Sequence, residues 1–214
     1  MKTISLGPML SALAMLVGFN FALMTVRMFA TSGIGYGFLV WNLFLAIVPL
    51  LVSLHLTKTD PTKTKIVLLS LFWLLFLPNA PYILTDFLHF RNFTQKMPAW
   101  FDLLLLASYS ISGLLFGLLS MRQMHLVWRK SFGKIANFLI PASALLSGFG
   151  IYLGRFKRYN SWDILSDPLA IACDSISLLT ELRVIGFTLG YGTLLLLIYY
   201  FFRIPNSESV RSSD

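Results

Sequence analysis

The sequence predicts an all-α fold, a polytopic membrane helix bundle with about six transmembrane helices. Three observations carry this. Of 214 residues, 57% are hydrophobic and only 12% charged, where an average soluble domain carries about 25% charged residues. Mean hydropathy is +0.74. The apolar residues also gather into runs close to the roughly 20 residues a helix needs to cross a bilayer, with no ionisable residue in the central stretch of any run. Too little chain is left over for a soluble domain. Residues 1–204 therefore read as a single integral membrane domain, and residues 205–214 as a short disordered cytoplasmic tail.

The first run extends from about Pro8 to Met28 behind Lys2. It lacks a small-x-small cleavage site and reads as an uncleaved first helix. The second extends from Tyr36 to Leu56. The third starts near Lys65 and continues, with a break, to Phe90. The fourth covers Trp100 to Met121, the fifth Ile135 to Gly154 and the sixth Val184 to Phe202. Between the fifth and sixth, Asp167-Pro168 is a helix start signal, an N-cap followed by proline in the first position. Leu169, Ala172, Ile176 and Leu179 then share one face, and Asp174, Ser177 and Glu181 another. This predicts an amphipathic surface helix near 168–182, either separate from the last span or continuous with it.

Orientation follows from the basic residues of the short loops. Ten lie on one side: Lys2, Lys58, Lys63, Lys65, Arg122, Arg129, Lys130, Lys134, Arg203 and Arg211. Seven lie on the other: Arg27, Arg91, Lys96, Arg155, Lys157, Arg158 and Arg183. Both termini are thus predicted cytoplasmic. The net charge of +8 is accounted for by these topology signals. With no basic stripe or base-stacking module, no nucleic-acid partner is expected. The expected partners are membrane lipids, with a membrane-protein partner or a homo-oligomer as further options. The lone Cys173 excludes an intrachain disulfide and a cysteine-based metal site. No nucleotide, haem or iron–sulfur motif is present.

The third run is broken at Leu77-Pro-Asn-Ala-Pro-Tyr82. Pro78 and Pro81 each remove a backbone donor, freeing the carbonyls of Leu74 and Leu77. In hydrocarbon such groups need other partners, and the side chain of Asn79 can supply one. If the helix resumes, Asn79, Tyr82, Asp86 and His89 form one polar stripe. Asp86 and His89, one turn apart, can hold a divalent metal or share a proton. The plainer reading is an interfacial Asp and His wetted by headgroups, with Tyr82 as a belt aromatic.

Other polar groups are predicted on the same membrane face, taken as extracytoplasmic. Asp102 opens the fourth span. Tyr152, Arg155, Arg158, Asn160, Trp162 and Asp163 end the fifth. Arg27 ends the first span and Asn42 lies early in the second. Ionisable groups at a membrane boundary are costly unless paired, so the cluster reads either as a pocket or as an ion-pair network fixing helix ends. Asn20 and Asn42 also read as interhelical hydrogen-bonding residues. Gly150-x-x-x-Gly154, extended by Ser143, Ala144 and Ser147, reads as a close helix contact. His55 and His125 read as surface histidines of the opposite face.

Two segments, Phe76-Leu-Pro-Asn-Ala-Pro-Tyr-Ile-Leu-Thr-Asp-Phe-Leu-His89 and Gly150-Ile-Tyr-Leu-Gly-Arg-Phe-Lys-Arg-Tyr-Asn-Ser-Trp-Asp163, resemble an uncharacterised bacterial family, domain of unknown function 1361. Its pattern has an apolar residue where Lys157 stands and Trp where Tyr159 stands. The resemblance implies a multi-pass protein of the bacterial cytoplasmic (inner) membrane and brings no activity with it.

Three functions compete. The first is an enzyme acting at the outer face on a lipid or envelope precursor. Asp86, His89, Asp102 and Asp163 would be its acid, base or metal-binding groups, and Asn79, Tyr82, Tyr152, Arg155, Arg158, Asn160 and Trp162 its substrate contacts. Within that set Arg155 and Arg158 would hold a phosphate or carboxylate head. The second is a small transporter, favoured by the broken helix. The third is an assembly or partner subunit without chemistry of its own.

Overall fold

The computed structural model describes residues 6–92 and 97–203. Lys2, Lys96, Arg211 and the tail 205–214 lie outside these residues, as do the side chains of Arg91 and Arg203. Every regular element among the described residues is helical. Helix α1 is Leu6–Thr31, α2 Phe38–Lys58, α3 Lys63–Phe76, α4 Asn79–Tyr82, α5 Ala99–Phe132, α6 Ala136–Tyr152, α7 Asp163–Ser166, α8 Pro168–Leu178 and α9 Leu182–Arg203. A 3-10 segment, Ile83–Asn92, follows α4, and a π turn, Leu153–Lys157, follows α6.

Among the described residues, five helical runs are long and apolar enough to cross a membrane. One of them spans 59 residues, Ala99–Lys157. Straight, it would reach about 88 Å, far beyond a hydrocarbon core of about 30 Å. It folds back instead at Gly133, whose φ of 63° is open to glycine and strained for other residues. After this reversal Nε2 of His125 meets Oδ1 of Asn137 at 3.2 Å, which a straight helix would hold about 18 Å apart. The run is therefore two antiparallel crossings, and the described residues make six. Helix α5 carries twenty buried residues, more than any other helix, and only 22% of the most apolar stretch of α1 and of α9 is buried, so α5 forms the interior.

Helix α5 passes through two apolar cores. One gathers Leu23 and Met24 of α1, Leu39 and Leu50 of α2, Ile83, and Leu105 and Phe116 of α5. The other gathers Ile66 and Trp73 of α3, Met121 and Trp128 of α5, Ile140 of α6 and Tyr199 of α9. Lipid tails are as apolar as these side chains, so close packing and interhelical hydrogen bonds hold the helices together. Asn20 of α1 donates to Ser112 Oγ at 2.7 Å, and its Oδ1 accepts from Ser108. Trp73 Nε1 donates to Ser120 Oγ at 2.6 Å, and Trp128 Nε1 to Ser70 Oγ at 2.8 Å. Where α6 meets α9, a Cβ on Gly148 would stand 2.5 Å from the Thr188 carbonyl oxygen, so only glycine permits that approach.

His125 departs from the expectation. It is 4% exposed, and its Nδ1 lies 2.7 Å from the Tyr199 hydroxyl. Helix α5 runs three turns past Met121, carrying His125 into the packing against α6 and α9. His55 is exposed as expected. The surface helix is separate from the last span: α8 ends at Leu178, residues 179–181 turn, and α9 begins at Leu182. Asp167 caps α8 by accepting from Ala170 N at 3.1 Å.

Candidate functional site

The break in the third run builds the floor of the site. Leu77 and Pro78 turn between α3 and α4 with right-handed helical angles, and the backbone is repaired locally: Ala80 N donates to the Leu77 carbonyl at 3.1 Å. Asn79 Nδ2 donates to the Phe76 carbonyl at 3.0 Å and to Ser161 Oγ at 2.9 Å. Ser161 in turn donates to the Leu75 carbonyl at 3.0 Å. The loop after α6 is thereby fastened to the broken helix. A Cβ on Gly150 would fall 2.5 Å from Pro78 Cγ, so the ring of Pro78 sits directly against the glycine of α6.

Beyond Tyr82 the helix tightens to 3-10 form. Residues three apart then eclipse, so Asp86 and His89 share a face. Asp86 is 1% exposed. Its Oδ1 accepts from Arg155 Nη2 at 2.9 Å and its Oδ2 from Asn42 Nδ2 at 2.8 Å. Arg155 also donates from Nε to Thr85 Oγ1 at 2.9 Å, and its guanidinium lies 5.0 Å from the Tyr82 ring centroid. These contacts join α2, the 3-10 segment and the π turn around one buried ion pair. The His89 ring lies 4.9 Å from that of Phe38, and its backbone carbonyl accepts from the Tyr36 hydroxyl at 3.2 Å. Its Nδ1 is buried without a hydrogen-bond partner among the described residues.

Two cavities meet here. The outer cleft, about 520 Å³, is lined by Tyr82, Leu88, His89, Gly154, Arg155, Arg158 and Asn160. The inner cavity, about 290 Å³, is mostly apolar: Trp41, Leu45, Leu75, Pro78, Leu153 and Ile164 wall it, with Asn42, Asn79 and Ser161 as polar points. Ile171 and Ser175 of α8 also line it. Tyr82, Gly154 and Asn160 border both. At Gly154 a Cβ would stand 3.2 Å from Tyr82 Cε2, so this shared wall is tight. Tyr159 donates its hydroxyl to Asp174 Oδ2 at 2.9 Å, with Lys157 Nζ 3.6 Å from the same oxygen. These bonds hold α8 against the cavity. The carboxylate at Asp174 pushes the Tyr159 phenol above its ordinary range.

The structure divides the residues expected at the site. Asp86, His89, Asn79, Tyr82, Arg155, Arg158 and Asn160 lie at the two cavities or in their walls. Asp102 lies apart. It is wholly buried and paired with Arg27, Nε to Oδ1 at 2.6 Å and Nη2 to Oδ2 at 3.3 Å, under a Tyr36 ring 4.1 Å from the guanidinium. Asp163 turns back on its own loop, accepting from Asn160 N at 2.7 Å and Nδ2 at 3.1 Å. Tyr152 packs between Phe156 and Phe187, and Trp162 meets Trp41 edge-on at 6.1 Å. Neither lines either of these two cavities. Among the described residues no group of three or more His, Cys, Asp or Glu gathers. Asp86 and His89 thus have no third such residue beside them, and both Asp86 oxygens are already bonded. Thr85, Ser161, Trp41 and Tyr159 are contacts the sequence reading passes over. Thr85 is signalled only by its place beside Asp86.

The match to known proteins covers this region. A family model described as "Protein of unknown function (DUF1361)" matches residues 41–198. The chain belongs to this family. The matched residues include both cavities, the break at Pro78 and the Asp86–Arg155 pair, and they leave out α1 with Arg27. No curated protein and no solved structure matches the chain.

Proposed function

We propose that this DUF1361 protein is an enzyme of the bacterial cytoplasmic membrane, acting at the extracytoplasmic face on the anionic head of a lipid or envelope precursor. One observation carries the reading: a cleft lined by His89, Arg155 and Arg158 shares a wall with a mostly apolar cavity. Charged donors next to an apolar chamber suit a ligand with an anionic head and a hydrocarbon body. His89 is the acid or base, since its imidazole lines the cleft and Nδ1 has no competing partner. Asp86 is a positioning residue that holds Arg155, helped by Asn42 and Thr85. A divalent metal on Asp86 and His89 would have to displace the Arg155 and Asn42 bonds, so proton transfer is the chemistry that this donor set favours. Asp102 and Asp163 serve the fold of the face. Both termini lie in the cytoplasm in this reading.

The test compares lipid extracts of cells lacking the protein with cells carrying the wild type or His89→Ala, at matched membrane levels. An anionic amphiphile is expected to accumulate without the protein and to be cleared by the wild type alone. Equal clearance by His89→Ala would overturn the acid–base role. A lipid profile indifferent to the protein would turn the polar face into an interface for a partner subunit.

A further inference from the structure

We infer that the site takes a phosphate amphiphile with a single chain. The phosphate lies between Arg155 and Arg158 in the outer cleft, and the first stretch of hydrocarbon lies in the inner cavity beneath α8. This rests on the proposed reading of the two cavities as one substrate site, and it adds the class of ligand.

The head follows from the donors. Arginine carries five N–H groups in a planar fork. Thr85 and Asp86 take two from Arg155, which leaves donors for a ligand in the cleft it lines. Arg158 makes no ion pair among the described residues. Its backbone is left-handed, with φ of 62°, a conformation uncommon outside glycine, asparagine and aspartate. It follows directly on the π turn Leu153–Lys157, an irregularity of helices frequent at functional sites. Two guanidiniums line the cleft, that of Arg155 paired with the buried Asp86 carboxylate, while Asp163 is turned to Asn160 at its edge. A phosphate, with up to two negative charges and several acceptor oxygens, matches two forks better than a carboxylate does.

The tail follows from shape. The inner cavity, about 290 Å³, lies at the bottom of the range of roughly 300–1,000 Å³ typical of small-molecule sites. That admits part of one chain and not two side by side. Leu45, Leu75, Leu153, Ile164 and Ile171 form its apolar lining, beside polar points such as Asn42 and Asn79. Helix α8, which supplies Ile171, exposes Leu169 and Ile176 outward, as a helix lying in the interface does. The remainder of the chain can therefore leave the cavity into the bilayer.

Binding to the purified full chain in nanodiscs, read by tryptophan fluorescence, tests this with decyl phosphate, decanoate, decanol and inorganic phosphate. Decyl phosphate is expected to bind at least about tenfold tighter than decanol or inorganic phosphate. Arg158→Asn keeps a residue that tolerates the left-handed backbone, and should weaken decyl phosphate about tenfold or more without moving decanol. Ile171→Trp should weaken decyl phosphate and leave inorganic phosphate unchanged. Inorganic phosphate binding as tightly as decyl phosphate would overturn the tail. Decanol binding as tightly, or an unchanged Arg158→Asn, would overturn the head. Tight decanoate with weak decyl phosphate would overturn the phosphate while leaving the lipid-head reading in place. If neither anionic amphiphile binds, both readings fall together.

Discussion

Nη2 of Arg155 stands 2.9 Å from Oδ1 of Asp86, with the two side chains 12% and 1% exposed. The pair links the π turn after α6 to the 3-10 segment after α4, so it ties two of the six crossings together at the site itself. A buried pair owes much of its apparent strength to what its loss leaves behind, an uncompensated charge. Asp86→Asn is therefore expected to destabilise the protein by roughly 3–5 kcal/mol. The double variant Asp86→Asn/Arg155→Gln should recover a good part of that loss. Thermal melts of the single and double variants in detergent measure both. Equal melting of Asp86→Asn and the wild type would show that the pair does not hold these elements together.

The contact of Pro78 with Gly150 makes a second, more local prediction. A Cβ on Gly150 would fall 2.5 Å from Pro78 Cγ, and a proline ring has no flexible end to move aside. Gly150→Ala should cost about 1–3 kcal/mol, the usual range for overpacking. Gly186, where an added Cβ meets nothing within 4 Å, is the control. Gly186→Ala should melt no lower than the wild type. A Gly150→Ala protein as stable as that control would mean α6 and the broken helix can slide apart.

How far the sequence exposes the site depends on whether the chemistry is local. The break at Pro78 and Pro81 was legible because proline acts on its own backbone. The alignment of Asp86 with His89 was legible because a spacing of three puts residues on one face in either helix form. The pairing of Asp86 with Arg155, 69 positions apart, depends on which helices become neighbours. Asp102 shows the same limit. Its membrane face is set by counting spans, but its place around the bundle is not, and there it meets Arg27. His125 reads as a surface residue because the apolar pattern of the fourth span ends at Met121, while α5 runs on to Phe132.

The single cysteine offers a direct test of orientation. Cys173 is exposed on α8, at the face where Arg155 and Asp86 lie. With that face extracytoplasmic, a membrane-impermeant maleimide should label Cys173 in intact spheroplasts. A cysteine placed at Thr59, between α2 and α3 at the other face, should react only after lysis in a Cys173→Ser background. The reverse pattern would invert the topology while leaving the co-facial grouping of the site intact.

The bond from Tyr159 to Asp174 gives the last prediction. The tyrosine is the donor, so the contact exists only while the phenol keeps its proton. Its pKa is raised above the ordinary 10.0, first by that hydrogen bond and then by burial and the nearby Asp174, Asp167 and Asp163 carboxylates. A group whose folded pKa is raised adds stability that is complete below the unfolded value and is lost as pH rises through the folded one. The hold on α8 should thus be flat from neutral pH to about 10 and weaken only above it. Lys157 Nζ, 3.6 Å from the same carboxylate oxygen, adds a weaker tie. A fluorophore on Cys173 should report this as steady anisotropy up to pH 10, followed by a drop. Tyr159→Phe should lower the anisotropy at neutral pH and erase the alkaline step. If Tyr159→Phe matches the wild type throughout, α8 is held by its apolar contacts alone.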